Sequence, residues 1–545
     1  MINLLEEGKK YFSAKEKTTS FVVDPLIGTL LLACKKYNES DENLILYASN
    51  SFEANNLYNN IVEIFDKEKV VLFPTDDLIR VEYISESKEI KSEFLYSLYK
   101  IRNEKHLIVI VSPGTLFRFY PSVELFDQSF INLKVGENIN VDEFKNKLSE
   151  LGYVKVSKID QSLEFASRGE VIDVFSLNYE NPIRIQLFDT EIESIRLFEI
   201  GTQTSYKNLN SVTIIPANIN ILNKDEKERA KNKILHIFEK DTKNLPSSDT
   251  EMLEATILED INDIENNVFT NKLYKYYGFL QNIHTSFLDY VSNYSIIVCS
   301  KSQFEKSKEI LFSEAGDFLL ELQEKRKTIS HLEYFNERAE IYKKFNSLTY
   351  LNPFYDSLND ASIPVRNLNY INPKNLSSKA IIELLLKNNC PLLISIHNDE
   401  EKFLVASILE EMGIEYSSTD GYEIDEKYRV TITTKFFPTS IEFLKNPAIL
   451  VSSRELFADK NKVRTYSTRF KQGKILESVD DLEPGDYVVH EKYGIGRFNK
   501  IETVEVDGKH SDYIEVSYAN NDKLYIPLYQ FNLIRKYVGK EGAVP

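Results

Sequence analysis

Apolar and polar positions along the chain change their period several times, and each change predicts a change of element. In residues 1 to about 125, short apolar runs at 43–47 (NLILY), 70–73 (VVLF) and 107–111 (LIVIV) take turns with stretches of helical period at 51–65 and 89–102. Strands interleaved with helices predict a parallel sheet. From about 130 to 215 the runs become shorter and richer in β signals. KVGENINVDEF predicts a strand, a turn and a helix start, and EFASRGEVIDVFS and PIRIQLFDTEIESIRLFEI follow as an inserted α+β domain. Residues 216 to about 350 turn helical and charged, apart from the buried-strand pattern YSIIV at 294–298, which suits a return to the first sheet. That return would split the first domain around the second. A further α/β pattern runs from about 365 to 455, where PLLISI, RVTIT and AILVS are separated by helical stretches such as 400–412. The last sixty residues read as short strands: Ile514, Val516 and Tyr518 alternate in YIEVSY, Leu524, Ile526 and Leu528 alternate in KLYIPL, and Asp507-Gly508 and Asn520-Asn521-Asp522 supply turn chemistry. The fold class predicted is a multidomain chain of α/β and α+β units, with a small SH3-like or Tudor-like β-barrel at the C-terminal end.

Length agrees, since 545 residues exceed one hydrophobic core and suit about three to five domains. With 42% hydrophobic and 28% charged residues the chain is globular in composition. Its 66 basic and 84 acidic residues leave a formal charge of −18, which argues against extensive docking on phosphates. The segment 459–474, DKNKVRTYSTRFKQGK, is locally basic, without apolar period, and reads as a solvated linker. Cys34, Cys299 and Cys390 are far apart and show no metal-ligand spacing, so neither a disulfide framework nor a zinc site is expected, and a reducing cytoplasm fits. No signal peptide, apolar run near eighteen residues, internal repeat or low-complexity tract is present in the sequence.

A parallel α/β domain raises the question of a nucleotide site. The stretch where a glycine-rich loop ending in Gly-Lys-Ser/Thr would stand is VVDPLIGTLLLACKK, residues 22–36. It offers a single glycine, Gly28, and places Asp24 and Pro25 where backbone N–H groups and a lysine would face phosphate. The apolar strand expected to end in a metal-binding acidic pair ends instead in Cys299, Ser300 and Lys301. ATP hydrolysis by these residues is therefore not expected. The seven histidines are dispersed, HExxH and GxSxG are missing, and Gly494-Ile495-Gly496 reads as a hairpin turn rather than a phosphate cradle. No catalytic, cofactor-binding or metal-binding residue is assigned.

Two stretches look made for docking. In PIRIQLFD, Ile183, Ile185 and Leu187 share one face of a strand, and Arg184, Gln186 and Phe188 share the other. If the first face is the core, Phe188 stands exposed beside Arg184, with Arg168 of the SRG turn converging on the same patch; if a second layer covers it, Phe188 is core and Arg184 a snorkelling neighbour. In the C-terminal module, IETVEV at 501–506 is either an edge strand open to β-addition or a strand already covered within the fold.

These stretches resemble a known family. LEPGDYVVHEKYGIGRFNKIETVEVDGKHSDYIEVSYANNDKLYIPLYQFNLIRKYVG is similar to the RNA-polymerase-interacting domain that bacterial transcription-repair coupling factors share with CarD-type regulators. EFASRGEVIDVFSLNYENPIRIQLFDTEIESIRLFE resembles the family's UvrB-like second domain, and FPTDDLIRVEYISES, IVIVSPGTLFRFYP and YYGFLQNIHTSFLDY resemble its flanks. The likeness covers nearly the whole chain in the family's order and is weakest over 365–455. It implies a division into a degenerate UvrB-like α/β domain at 1–125 and 216–350, a UvrA-binding α+β domain at 126–215, a small α/β domain at 355–455, a basic linker at 456–480 and the polymerase-interacting barrel at 481–545. It further implies UvrA docking through Arg168, Arg184 and Phe188, and docking on the RNA polymerase β subunit by strand addition at Thr503, Val504, Glu505 and Val506. The family's ATP-driven DNA translocation lies in helicase-type domains after the barrel, so the resemblance leads us to expect an N-terminal recruiting portion without cofactors. A UvrB-like ATPase and a free-standing CarD-like regulator remain alternative readings at this point.

Overall fold

The computed structural model describes residues 2–12, 16–74, 88–266, 268, 271–281, 284–355, 360–368, 376–457, 485–490, 494–506, 509–518, 523–527 and 534–536. Positions 458–480 of the basic linker fall outside the described residues, as do positions 75–87 of the FPTDDLIRVEYISES stretch. The described residues of Met1–Leu133, Val141–Tyr153 and Val212–Arg469 form one compact unit, and those of Lys134–Asn140, Val154–Ser211 and Phe470–Pro545 form a second.

The first unit holds two large sheets, of seven and six strands among the described residues. Among the described residues one sheet has the order Ala361–Ser362, Thr18–Val22, Leu348–Asn352, Tyr294–Val298, Asn43–Tyr47, Ile108–Val111, Val70–Leu72, and its recorded pairings are all parallel. Asn43–Tyr47, Tyr294–Val298 and Ile108–Val111 are buried at every position. That burial is what an unbroken apolar run needs, because helices cover both faces of a parallel sheet. Tyr294–Val298 lies between Asn43–Tyr47 and Leu348–Asn352, so a strand about 250 residues later in the chain completes the sheet begun at Thr18.

The other sheet has the order Val365–Arg366, Ile441–Phe443, Ala448–Ser452, Leu392–Ser395, Val430–Thr433, Tyr416–Thr419, of which the last four are parallel. The two sheets share a core: Phe21, Leu30, Leu31 and Leu351 belong to the same buried cluster as Leu393, Ile441, Phe443 and Leu450. The chain passes from one to the other within a few residues, since Ile363 donates its N–H to the Val22 carbonyl (3.0 Å) and Val365 pairs with Phe443. The N-terminus adds a strand to neither pattern predicted above. Ile2 and Asn3 pair antiparallel with Ile424 and Glu423, and the helix Leu4–Tyr11 follows at once. A Cβ on Gly8 of that helix would sit 3.0 Å from Leu31 and 3.2 Å from Phe443, so a larger residue there would require those side chains to shift by a few tenths of an ångström.

Helices Lys224–Asp241 and Ser247–Glu265 pack with Tyr277–Leu280 around a separate apolar cluster. Within this region the Asp260 carboxylate is buried, ion-paired to Lys275 at 2.8 Å and hydrogen-bonded by the Tyr276 hydroxyl at 3.0 Å. Its burial is compensated by Lys275 and also by Lys272, whose Nζ lies 3.7 Å from the carboxylate.

The second unit contains two large sheets, mostly antiparallel. One is a meander whose strands Val154–Lys155, Glu164–Arg168, Val171–Val174, Ile183–Phe188, Glu191–Phe198 and Ser205–Leu209 lie in chain order, with only the first pair parallel. The other is C-terminal, in the order Lys523–Pro527, Lys509–Ser517, Gly494–Val506, Tyr487–His490, Ile534–Lys536, around Val488, Phe498, Ile514, Val516 and Ile526.

Candidate docking surfaces

The meander's outward face can be laid out row by row from its register. Alternation along Ile183–Phe188 buries Ile183, Ile185 and Leu187 and turns Arg184, Gln186 and Phe188 to the other side, where Phe188 is 71% exposed. Directly paired residues share a face in an antiparallel sheet. One row therefore runs Ala166, Asp173, Arg184, Arg196, Asn208, and the next runs Arg168, Val171, Gln186, Ser194. Phe188 and Glu191 form the row beyond. Arg168, Arg184 and Phe188 thus fall on one face of one sheet. Tight loops set this register: Gly169-Glu170 joins Arg168 to its partner Val171, and Asp189-Thr190 joins Phe188 to Glu191. Gly169 and Asp189 adopt positive φ of 57° and 58°, the backbone that short hairpin loops require.

Of the two arrangements that alternation left open, Phe188 takes the exposed one and Arg184 does not. The Arg184 guanidinium is forked onto Asp173, with Nε to Oδ1 at 2.8 Å and Nη2 to Oδ2 at 2.9 Å; it lies over the Phe198 ring, 4.2 Å from the centroid, and Nη1 donates to the Gln203 carbonyl. Its hydrogen bond to Asp173, partly offset by burial, raises its pKa further. Arg168 is exposed and donates from Nε to the Ser157 carbonyl at 2.9 Å. Sequence reading missed Asp173 and Arg196. The available signal was the acid in VIDV at the outward alternation position, but its meaning depends on a register that periodicity within one strand does not reveal.

In the C-terminal sheet, the strand Gly494–Val506 is long enough to have different neighbours along its length. Gly494 to Arg497 pair with Tyr487–His490, and Phe498 continues that contact through Gly485 and Asp486. Thr503, Val504, Glu505 and Val506 pair with Asp512, Ser511, His510 and Lys509 on the opposite edge. Their second edge carries no strand among the described residues, and their side chains lie outside what is described. One expectation needs correcting. Gly494-Ile495-Gly496 belongs to the strand and not to the turn, and a Cβ on Gly496 would come within 2.5 Å of Val516 Cγ1. Close approach of the neighbouring strand, rather than turn geometry, accounts for that glycine.

The position where a phosphate loop would stand is filled by the chain itself. Asp24 caps the helix Pro25–Glu39, its carboxylate accepting from the N–H groups of Leu26 and Ile27 at 3.1 Å each, and its other oxygen accepts from Asn367 Nδ2 at 2.7 Å. The N–H groups and dipole that attract a phosphate are thereby engaged by a carboxylate. Gly28 is a packing glycine, since a Cβ there would lie 2.5 Å from Val23 Cγ1. In the second sheet Arg454, two residues past the strand Ala448–Ser452, bonds Glu63 at 3.0 Å and Asn60 at 3.2 Å and lies over Phe436. All the cysteines are buried and free, and burial pushes the Cys34 and Cys299 thiols up to about 12. No group of three or more His, Cys, Asp or Glu among the described residues could hold a metal ion, and no described helix is long and apolar enough to cross a membrane.

Known proteins match this chain in two ways. The family model described as the UvrB interaction domain matches residues 131–219, and that described as the CarD-like/TRCF RID domain matches residues 482–538. Over 519 residues the chain is 28% identical to the transcription-repair-coupling factor of Bacillus subtilis, covering 93% of this chain and 44% of that protein. It is 27% identical to the protein of the same name from Staphylococcus haemolyticus over 531 residues, covering 94% of this chain and 44% of the other. The chain therefore spans less than half the length of these curated relatives.

Proposed function

We propose that this chain is the recruiting portion of a transcription-repair coupling factor. In this reading the meander docks on UvrA through Phe188, Arg168 and Arg184. The C-terminal sheet closes as a small SH3-like or Tudor-like barrel and binds the RNA polymerase β subunit by adding a partner strand along Thr503 to Val506. Stalled polymerase and excision-repair machinery are thereby held on one chain, in the cytoplasm. ATP-driven translocation along DNA belongs to the part of the longer relatives that these residues do not match.

The observation that carries the UvrA reading is Phe188: a phenylalanine 71% exposed, on the same sheet face as two arginines, within the segment that the UvrB interaction model matches. Large exposed aromatics beside arginine have the composition of interface hot spots. Asp24 in the place of a phosphate favours a docking role over an ATPase role. Phe188→Ala should lower retention of UvrA in a pull-down at least tenfold while leaving the thermal midpoint of the chain unchanged; equal retention would overturn the UvrA assignment. For the polymerase reading, Val504→Glu should abolish retention on the isolated β subunit, and full retention would overturn the strand-addition claim.

A further inference from the structure

The meander's register sets two like charges directly opposite each other, Arg184 on one strand and Arg196 on the next. Facing like charges in a sheet are unfavourable, and a local rule broken without a gain for the fold points to a use outside it. The sheet resolves only half of the conflict. Asp173 takes Arg184, whereas Arg196 among the described residues bonds only the Ser194 hydroxyl, from Nε at 3.1 Å and Nη2 at 2.8 Å. Arg168, on the far side of the face, bonds a backbone carbonyl. The face thus carries a neutral Arg184–Asp173 pair between two guanidinium groups that no carboxylate among the described residues neutralises.

We propose that Arg196 is a further docking residue of this face, and that the partner meets it with an acidic patch supplying a carboxylate each to Arg168 and Arg196. This rests on the UvrA reading given above. A guanidinium offers a planar fork that matches a carboxylate, and each arginine here has donors left over after its internal bonds. Arg184 contributes differently, since its fork is already engaged by Asp173 and it stands between the two cations that no carboxylate among the described residues neutralises. Phe188, in the row it shares with Glu191, supplies the apolar anchor.

The test is the affinity of the 545-residue chain for purified UvrA over a range of salt concentrations, for the wild type and for Phe188→Ala, Arg196→Ala, Arg196→Glu and Arg196→Lys. We expect Arg196→Ala to weaken binding about tenfold and Arg196→Glu more, with partial recovery in Arg196→Lys and unchanged thermal midpoints. Affinity of Arg196→Ala should also fall less steeply with salt than that of the wild type, because an interfacial charge pair is lost. If Phe188→Ala loses binding while Arg196→Ala and Arg196→Glu bind as the wild type does, this inference is overturned and the UvrA reading stands. An Arg196→Ala defect with an unchanged salt slope overturns the acidic-patch assignment. Failure of the wild-type chain to bind UvrA removes the parent reading and this one with it.

Discussion

Arg184 and Asp173 face each other across adjacent strands and form a two-pronged ion pair, 2.8 and 2.9 Å, in which the carboxylate side chain is 7% and the guanidinium 23% exposed. Truncation of the acid would leave a guanidinium over Phe198 without its counter-charge. Asp173→Ala should therefore destabilise the chain by about 3 kcal/mol in urea unfolding followed by a probe in the meander. A loss below about 1 kcal/mol would mean that the pair behaves like an exposed one.

Asp24 closes the helix Pro25–Glu39 and ties it to Asn367. Asp24→Ala removes both, with an expected loss of about 1–2 kcal/mol, whereas Asp24→Ser keeps a capping oxygen and should recover part of it. Thermal unfolding of the two variants checks the order; equal midpoints would remove the cap from the account.

Glu455 predicts a pH dependence. Burial raises its pKa above the ordinary 4.5, against the opposing pull of hydrogen bonds from Ser440. An acid whose pKa is raised on folding releases its proton from the unfolded chain first, so its contribution is full below the unfolded value and declines as pH rises through the interval up to the folded value. Stability should fall with pH in that window, just above 4.5, and Glu455→Gln should flatten the decline. An unchanged slope in the variant would assign the decline to other groups.

Gly496 lies where the strand Lys509–Ser517 passes closest, with Val516 Cγ1 2.5 Å from the position of a Cβ. Gly496→Ala should cost about 2 kcal/mol by overpacking. Amide exchange should quicken at Ile514 and Val516 and stay as in the wild type at Ile45 and Ile297 of the parallel sheet. Uniform change in both places would contradict a local clash.

Much of this protein was legible before its structure. Unbroken apolar runs such as NLILY and YSIIV identified strands of a parallel sheet, and alternation in PIRIQLF put Ile183, Ile185 and Leu187 on one face and Arg184, Gln186 and Phe188 on the other. These are local properties, because the period of a strand or helix is set by its own backbone geometry. Asp24 and Pro25 read from the sequence only as groups unsuited to face a phosphate; that Asp24 caps the helix was decided by the structure. What faces what across strands was not legible. That Asp173 closes the Arg184 fork, that Arg196 stands opposite it with only a serine, that Gly496 yields to Val516 and that Ile2 and Asn3 pair with Ile424 and Glu423 all depend on register and chain return. Sequence by itself determined which face each side chain would take; only the tertiary structure decided which charges on that face were already spoken for, since pairing joins residues whose separation along the chain carries no periodic signal.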